Sequence, residues 1–385
     1  SSFYRTIISY INDGWNVILI NPRYNVGITP KIEGLTNITF KPIFYPLTKI
    51  KKISFFGRFL HSFYGNYIFY KIAKKLLDKL NRRVLIYAYE VDGVKAGKKI
   101  AEEFKLPFIT RFQGTVLTEV DNNWLNRLRY YPHFQAIETK ADLTIMTNDG
   151  TRGDKVLKRL NNKSLQVKFW RNGVDINPDE LPDEMQIAKL RNRLGLTSDN
   201  KVLMTISRLA PWKKVNRAIE ALSVVVKDNP NVKLVIVGDG SEKAKLIDLT
   251  VKMGLISNVI FVGAVQQSEI KDYLDLADIF LSLYDLSNVG NPLLEAMSRG
   301  KAIITLNVGD TSEIIRNNHN GVILDLNQID EIPKYILKIL NDENYQKMLG
   351  ENAKKYAREN FWTWNERMKA ELSVVNELYR SWDFK

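Results

Sequence analysis

The chain has 385 residues, of which 45% are apolar, and a formal net charge of +13; a chain of this length buries ample core and divides more naturally into two α/β domains than into one. It has no cysteine, which excludes disulfides, thiolate catalysis and thiolate metal sites, and its three histidines, His61, His133 and His319, lack ligand spacing, which argues against zinc. No run approaches the roughly eighteen apolar residues that cross a bilayer, and no secretory signal opens the chain, so a cytoplasmic location is expected.

In chain order, a helix is expected over residues 3–12, followed by strands at 15–20, 84–88, 108–110 and 143–146. Because the chain enters a helix almost at once, the strand and glycine turn that open such a domain are expected to lie upstream of Ser1. Residues 1–175 hold 29 Lys+Arg against 14 Asp+Glu, and the remainder 27 against 29. The basic half is therefore the N-terminal one, and it attracts anionic partners without choosing among phospholipid, polyprenyl phosphate and nucleic acid. The charge peaks over 49–83, where Lys51, Lys52, Arg58, Lys74 and Lys75 alternate with Phe55, Phe56, Phe59, Phe63, Tyr64 and Tyr67. Such a stretch either lies on an anionic membrane surface through its N-terminal domain or forms a helix whose aromatic side is core and whose lysines face water. No helix-turn-helix, RNA-binding signature or metal knuckle supports a nucleic-acid partner.

From about 85 onward β-branched runs alternate with helical intervals, and the C-terminal half shows this best. Strands are expected at 202–206, 234–237, 258–262, 279–283 and 302–305, and the helix starting near Lys214 places Ile219, Leu222 and Val226 on one face. A run of βα units of this kind makes a doubly wound parallel sheet. The polar, proline-punctuated stretch after Asn177 reads as an interdomain linker, taken as 177–198. The expected domains are then 1–176 and 199–362, with 363–385 as a C-terminal helix packing back on the first domain.

Two strand-to-helix turns carry candidate chemistry. In Ser207-Arg208-Leu209-Ala210-Pro211-Trp212-Lys213-Lys214, Arg208 and Lys213 stand at a strand's carboxyl end, where α/β sheets bind ligands and helix starts attract anions. In Val289-Gly290-Asn291-Pro292-Leu293-Leu294-Glu295-Ala296-Met297, a glycine allows close backbone approach and a proline opens the helix. One turn in, Glu295 can accept from a ribose diol or merely favour the helix dipole.

Together these segments resemble the nucleotide half of family 4 glycosyltransferases of GT-B architecture, in which two Rossmann-like doubly wound domains face a central cleft. The resemblance covers nearly the whole chain and includes Asn172-Gly173-Val174-Asp175, Val237-Gly238-Asp239-Gly240, Phe261-Val262-Gly263 and Gly309-Asp310-Thr311-Ser312-Glu313. It implies a retaining transferase whose donor is a nucleotide-diphosphate sugar and whose acceptor is a glycan or polyprenyl-linked molecule. It assigns the diphosphate to Arg208, Lys213 and the amides of Gly290 to Leu293, the ribose to Glu295, and the base to the loop from Gly263 to Gln267. Gly238, Asn288, Gly290, Asn291, Pro292 and Leu293 complete the expected donor contacts.

The sequence departs from the family pattern twice. Eight residues before Glu295, where a first glutamate is expected, stands Ser287, so Asp285 or the Ser287-Asn288 pair is expected to meet the sugar hydroxyls. In Arg111-Phe112-Gln113-Gly114, Gln113 replaces a histidine and cannot carry a proton; retaining transfer tolerates this, because the leaving phosphate can take the acceptor's proton. No Asp-x-Asp loop follows a strand, so neither metal nor other cofactor is expected and activity should survive a chelator. Two other classes stay open: a nucleotide-sugar 2-epimerase on the same scaffold, and a catalytically silent sugar-nucleotide or membrane-binding protein.

Overall fold

In the computed structural model, residues 2–23, 31–50, 54–80 and 82–383 are described. The chain forms two compact units. The first contains residues 1–148 and 152–172 together with the segment from Asn365 onward; the second contains Asp149–Thr151 and Gly173–Trp364.

The first unit opens with helix α1 (Ser2–Asn12), then strands β1 (Val17–Pro22) and β2 (Leu35–Phe40), which pair in parallel as a sheet of their own. A long helix, α2 (Ser54–Leu77), leads to β3 (Ile86–Tyr89), α3 (Glu90–Phe104), β4 (Phe108–Phe112), the short helices α4 (Trp124–Arg129) and α5 (Tyr131–Glu138), β5 (Leu143–Thr147), α6 (Gly153–Arg159) and β6 (Gln166–Trp170). Strands β3 to β6 form a parallel sheet in sequence order. β4 and β5 are buried along their whole length, with the polar side chains of Thr110, Arg111 and Thr144 paired inside.

The second unit begins with α7 (Glu184–Arg193) and continues through β7 (Lys201–Ile206), α8 (Asn216–Asp228), β8 (Val232–Val237), α9 (Lys243–Lys252), β9 (Val259–Gly263), α10 (Ile270–Leu276), β10 (Ile279–Ser282), α11 (Asn291–Ser298), β11 (Ala302–Leu306), β12 (Val322–Leu324), α12 (Ile332–Asn341) and α13 (Glu343–Asn360). Its six strands are parallel in the order β12-β11-β10-β7-β8-β9. The chain winds outward from β7 in one direction and then, from β10, in the other. The strands beside which the winding reverses are β7 and β10, and the crevice at their carboxyl ends is where such sheets hold ligands. Two apolar layers cover the sheet: α8 and α12 pack on one face with Ile219, Leu222, Ile336 and Ile339, and α10, α11 and α13 on the other with Leu274, Met297 and Ala353.

The stretch 177–198, expected to be a linker, belongs to the second unit. Asp183 caps α7 by accepting from the amides of Met185 and Gln186, and Leu190 and Leu196 join the second unit's core, so the segment has an apolar anchor that a linker lacks. Glycine is dictated at Gly173, where a Cβ would lie 2.4 Å from the backbone of Trp364.

The last helix, α14 (Trp364–Ser381), contributes its residues from Asn365 onward to the first unit. Its anchor is Glu371, fully buried, which accepts hydrogen bonds from Arg111 on β4, Tyr10 on α1 and Tyr87 on β3 and also pairs with Arg367. Burial, and then the charge of Glu371, push the phenols of Tyr10 and Tyr87 well above their ordinary values.

Candidate active site

The second unit's switch point is built by the turn after β7. Ser207 is drawn back into the sheet by a bond from its amide to Val237 O, while Arg208 projects outward, exposed and without an ion-pair partner among the described residues. Pro211 then starts a single 3-10 turn that ends with Lys214 in the left-handed region (φ 46°). This turn carries Lys213 inward. Its Nζ lies 3.6 Å from the ring centre of Tyr284 and 4.0 Å from that of Trp212, so the ammonium is clasped between two aromatic faces. Burial, reinforced by the charge of Arg208 and opposed by Asp149, lowers its pKa to about 7. Tyr284 is itself fixed, its hydroxyl donating to Ile206 O at 3.1 Å, and burial pushes its pKa up to about 12.

Glycines bring the neighbouring loops close. At Gly238 (φ 134°) a Cβ would sit 1.9 Å from Ser207 O, and at Gly240 one would sit 2.4 Å from Leu209 O, so the turn after β8 packs directly on the turn after β7. Gly238 N in turn donates to Gly263 O at 2.8 Å. Glu295 on α11 is buried and accepts from Gln267 Nε2 at 2.8 Å, which joins α11 to the loop following β9.

The loop 283–290 corrects three expectations. Asp285 is engaged by the protein's own cations: its carboxylate pairs with Arg217 at 2.7 Å and Lys214 at 3.3 Å, and its amide donates to Trp212 O. Asn288 is fully buried, accepting from Ser282 Oγ and the Tyr284 amide and donating to Leu306 O, so it shapes the loop instead of contacting a ligand. Ser287 donates to Asp149 O and accepts from the Val289 amide. The helix start is also less open than expected, because the Gly290 amide donates to Asn288 O, the Leu293 amide to Gly290 O, and Pro292 has none. Asn291 is the first residue of α11.

Gln113 lies in the first unit just past β4. Its backbone N–H donates to Glu90 Oε1, and its side chain stands 2.6 Å from Tyr89 Oη, 3.2 Å from Ser2 Oγ and 3.3 Å from Asn172. Glu90, which holds it, has a left-handed backbone (φ 60°).

On α2 the aromatic side is not core throughout. Phe56 and Phe63 are 57% and 65% exposed, and with Phe59 and Tyr67 they form one outward stripe that runs on into Lys71 and Lys75. Lys74 pairs with Glu103, Arg58 is exposed, and Lys51 and Lys52 lie outside the described residues.

Sequence reasoning passed over Asp149, Trp212 and Tyr284. The polar triplet Asn148-Asp149-Gly150 directly after a strand was the available signal for the first. No group of three or more His, Asp or Glu side chains that could hold a metal occurs among the described residues, and no described helix is long and apolar enough to cross a membrane.

A doubly wound unit with two cations at its switch point, in a chain that also forms a second parallel-sheet unit, is the composition of the GT-B enzymes. The solved structure of sucrose-phosphate synthase from Thermosynechococcus elongatus superposes with a TM-score of 0.78 at 17% identity, covering 98% of this chain and 93% of that one. The Anabaena protein HepE in complex with UDP gives 0.66 at 19% identity, covering 94% and 100%. Residues 186–356 match the family model of glycosyl transferases group 1. An uncharacterized glycosyltransferase of Methanocaldococcus jannaschii is 25% identical over 341 residues, 87% of this chain and 81% of its own length. The chain thus has the GT-B fold, with the group 1 glycosyl transferase match falling within its second unit.

Proposed function

We propose that the chain is a retaining, metal-independent transferase of the family 4 type that moves a sugar from a nucleotide-diphosphate sugar to a glycan or lipid-linked acceptor. The observation that carries the reading is Lys213, a cation desolvated between Trp212 and Tyr284 beside a second cation, Arg208, at the carboxyl end of β7. Two like charges held together at a ligand-binding edge call for an anionic partner, and a diphosphate offsets both. In this reading Glu295 takes the ribose and the loop 263–267 the base. As the bond from the sugar's anomeric carbon to the diphosphate breaks, the electron pair stays on the phosphate oxygen, whose growing charge Arg208 and Lys213 neutralise. The acceptor oxygen bonds the same carbon, and its proton passes to the departing phosphate. Fixed cations supply what a divalent ion would otherwise supply, so a chelator leaves turnover unchanged.

The experiment is titration of UDP and GDP sugars into the wild type and an Arg208→Ala, Lys213→Ala double variant. Each charge-assisted contact contributes about 1.5–3 kcal/mol, so donor affinity falls at least ~100-fold; unchanged affinity in a folded variant refutes the reading. For the acceptor side, the stripe Phe56-Phe59-Phe63-Tyr67 with Arg58, Lys71 and Lys75 at its flanks and end is the chemistry of a surface that rests on anionic lipid. Sedimentation with phosphatidylglycerol vesicles that is indifferent to Phe56→Ser, Phe63→Ser and Lys75→Glu counts against that attachment.

A further inference from the structure

We propose that Asp149 is the carboxylate that reads the hydroxyls of the donor sugar, an assignment that rests on the diphosphate lying at Arg208 and Lys213. Asp149–Thr151 is a three-residue outpost of the second unit, and its backbone is held from two loops of that unit. Ser287, in the loop after β10, donates to Asp149 O, and the Asp310 amide, in the loop after β11, donates to Gly150 O at 3.0 Å. No side chain is tolerated at the junction. A Cβ on Gly150 (φ 79°) would meet Ser287 Oγ at 2.3 Å, and one on Gly309 (φ 59°) would meet Gly150 O at 2.0 Å. The segment is therefore fixed at the carboxyl ends of β10 and β11, on the ligand-binding side of the sheet.

The carboxylate is held but not consumed. Its Oδ1 accepts the amide and hydroxyl of Thr151, at 3.0 and 2.5 Å, and neither bond uses Oδ2. It has no ion-pair partner within contact among the described residues, yet it acts on Lys213, and Lys213 on it, through space. Burial raises its pKa to about 6, the bonds from Thr151 and the charge of Lys213 opposing. Asp285, by contrast, is occupied by Arg217 and Lys214, and Glu295 is the acid assigned above to the ribose. A carboxylate whose charge acts on a phosphate-gripping lysine repels phosphate itself. What it accepts well is a hydroxyl on the group attached to the phosphate, and a charged acceptor makes that bond a strong one.

Asp149→Asn keeps the oxygen that Thr151 bonds and removes the charge; Asp149→Ser keeps a turn-forming oxygen and avoids deamidation of an Asn-Gly pair. Both are titrated at pH 7.5 with UDP, UDP-glucose, UDP-N-acetylglucosamine and GDP-mannose, and donor hydrolysis is followed by release of the nucleotide. The expected result is affinity for the free nucleoside diphosphate within twofold of wild type, affinity for the sugar conjugate at least tenfold weaker, and donor turnover at least a hundredfold slower. Conjugate affinity and turnover equal to wild type in either folded variant overturn the proposal. So does an equal loss for nucleotide and conjugate, which would mean that Asp149 acts only through Lys213. A wild type that binds none of these ligands instead removes the diphosphate reading, and this assignment with it.

Discussion

On the proposed assignment of Lys213 to the diphosphate, donor binding depends on pH with a sign opposite to that of Lys213's own contribution to stability. Burial between Trp212 and Tyr284, with Arg208 adding to it, brings the ammonium's pKa to about 7. A bound diphosphate stabilises the charged form, so binding draws a proton onto any Lys213 that has lost it. Above pH 7 that uptake opposes binding by about a factor of ten per pH unit, and the donor dissociation constant should rise ~100-fold between pH 6 and pH 9, since a nucleotide-diphosphate sugar keeps its charge over this range. Stability runs the other way. Between about pH 7 and the ordinary lysine value of 10.5, the unfolded chain binds more protons at Lys213 than the folded one, so this group's destabilisation is full below pH 7 and fades as pH rises. The assay is calorimetric titration of the sugar nucleotide at half-unit intervals from pH 6 to 9, with proton uptake read from two buffers of different ionisation heat. A Lys213→Arg variant, charged throughout, should give a flat profile. A wild-type profile that is equally flat, or an arginine variant that still loses affinity with pH, refutes the assignment of Lys213 to the diphosphate.

Two further outcomes test the packing that positions the units' elements. Glu371→Gln leaves Arg111 and Arg367 buried without their shared carboxylate, and breaking a buried pair of this kind costs about 3–5 kcal/mol, visible as a lower urea midpoint; a midpoint within experimental error of wild type excludes the network as the anchor of α14. Gly238→Ala puts a Cβ 1.9 Å from Ser207 O at a backbone angle alanine avoids, so the second unit should lose ~2 kcal/mol or more and donor affinity should fall as the turn carrying Arg208 moves, both read in one thermal-shift titration.

The sheet of the second unit was legible because burial on both faces leaves its strands mostly apolar and β-branched. Strands such as 202–206 and 302–305 then stand out as short β-branched runs whatever their neighbours are. The first unit was less so for the same physical reason. β2 and β6 have exposed positions along them, so their alternation blends into the flanking polar sequence, and the pairing of β1 with β2 apart from β3 to β6 leaves no local trace in either strand. The stretch 177–198 was misjudged because proline and acidic residues at its start hide two leucines, Leu190 and Leu196, spaced to reach a core from a helix and the turn after it.

The site divides along a similar line. Arg208, Lys213 and Glu295 could be placed from the sequence because each follows a strand end by a short interval, and the strand end determines where such a side chain begins. Asp285, Ser287 and Asn288 were misassigned because a polar residue in a loop can face a ligand or satisfy the loop's own backbone, and sequence spacing does not distinguish the two. Here the loop after β10 must bond itself together before it can hold Tyr284 against Lys213, and Asn288 alone supplies three of those bonds. Ser287 is consumed differently, by fastening Asp149 in place. The hydroxyl that counting placed at the sugar serves instead to bring a carboxylate from well over a hundred residues away in the chain, a relation that only a long-range contact can create and that no window along the sequence contains.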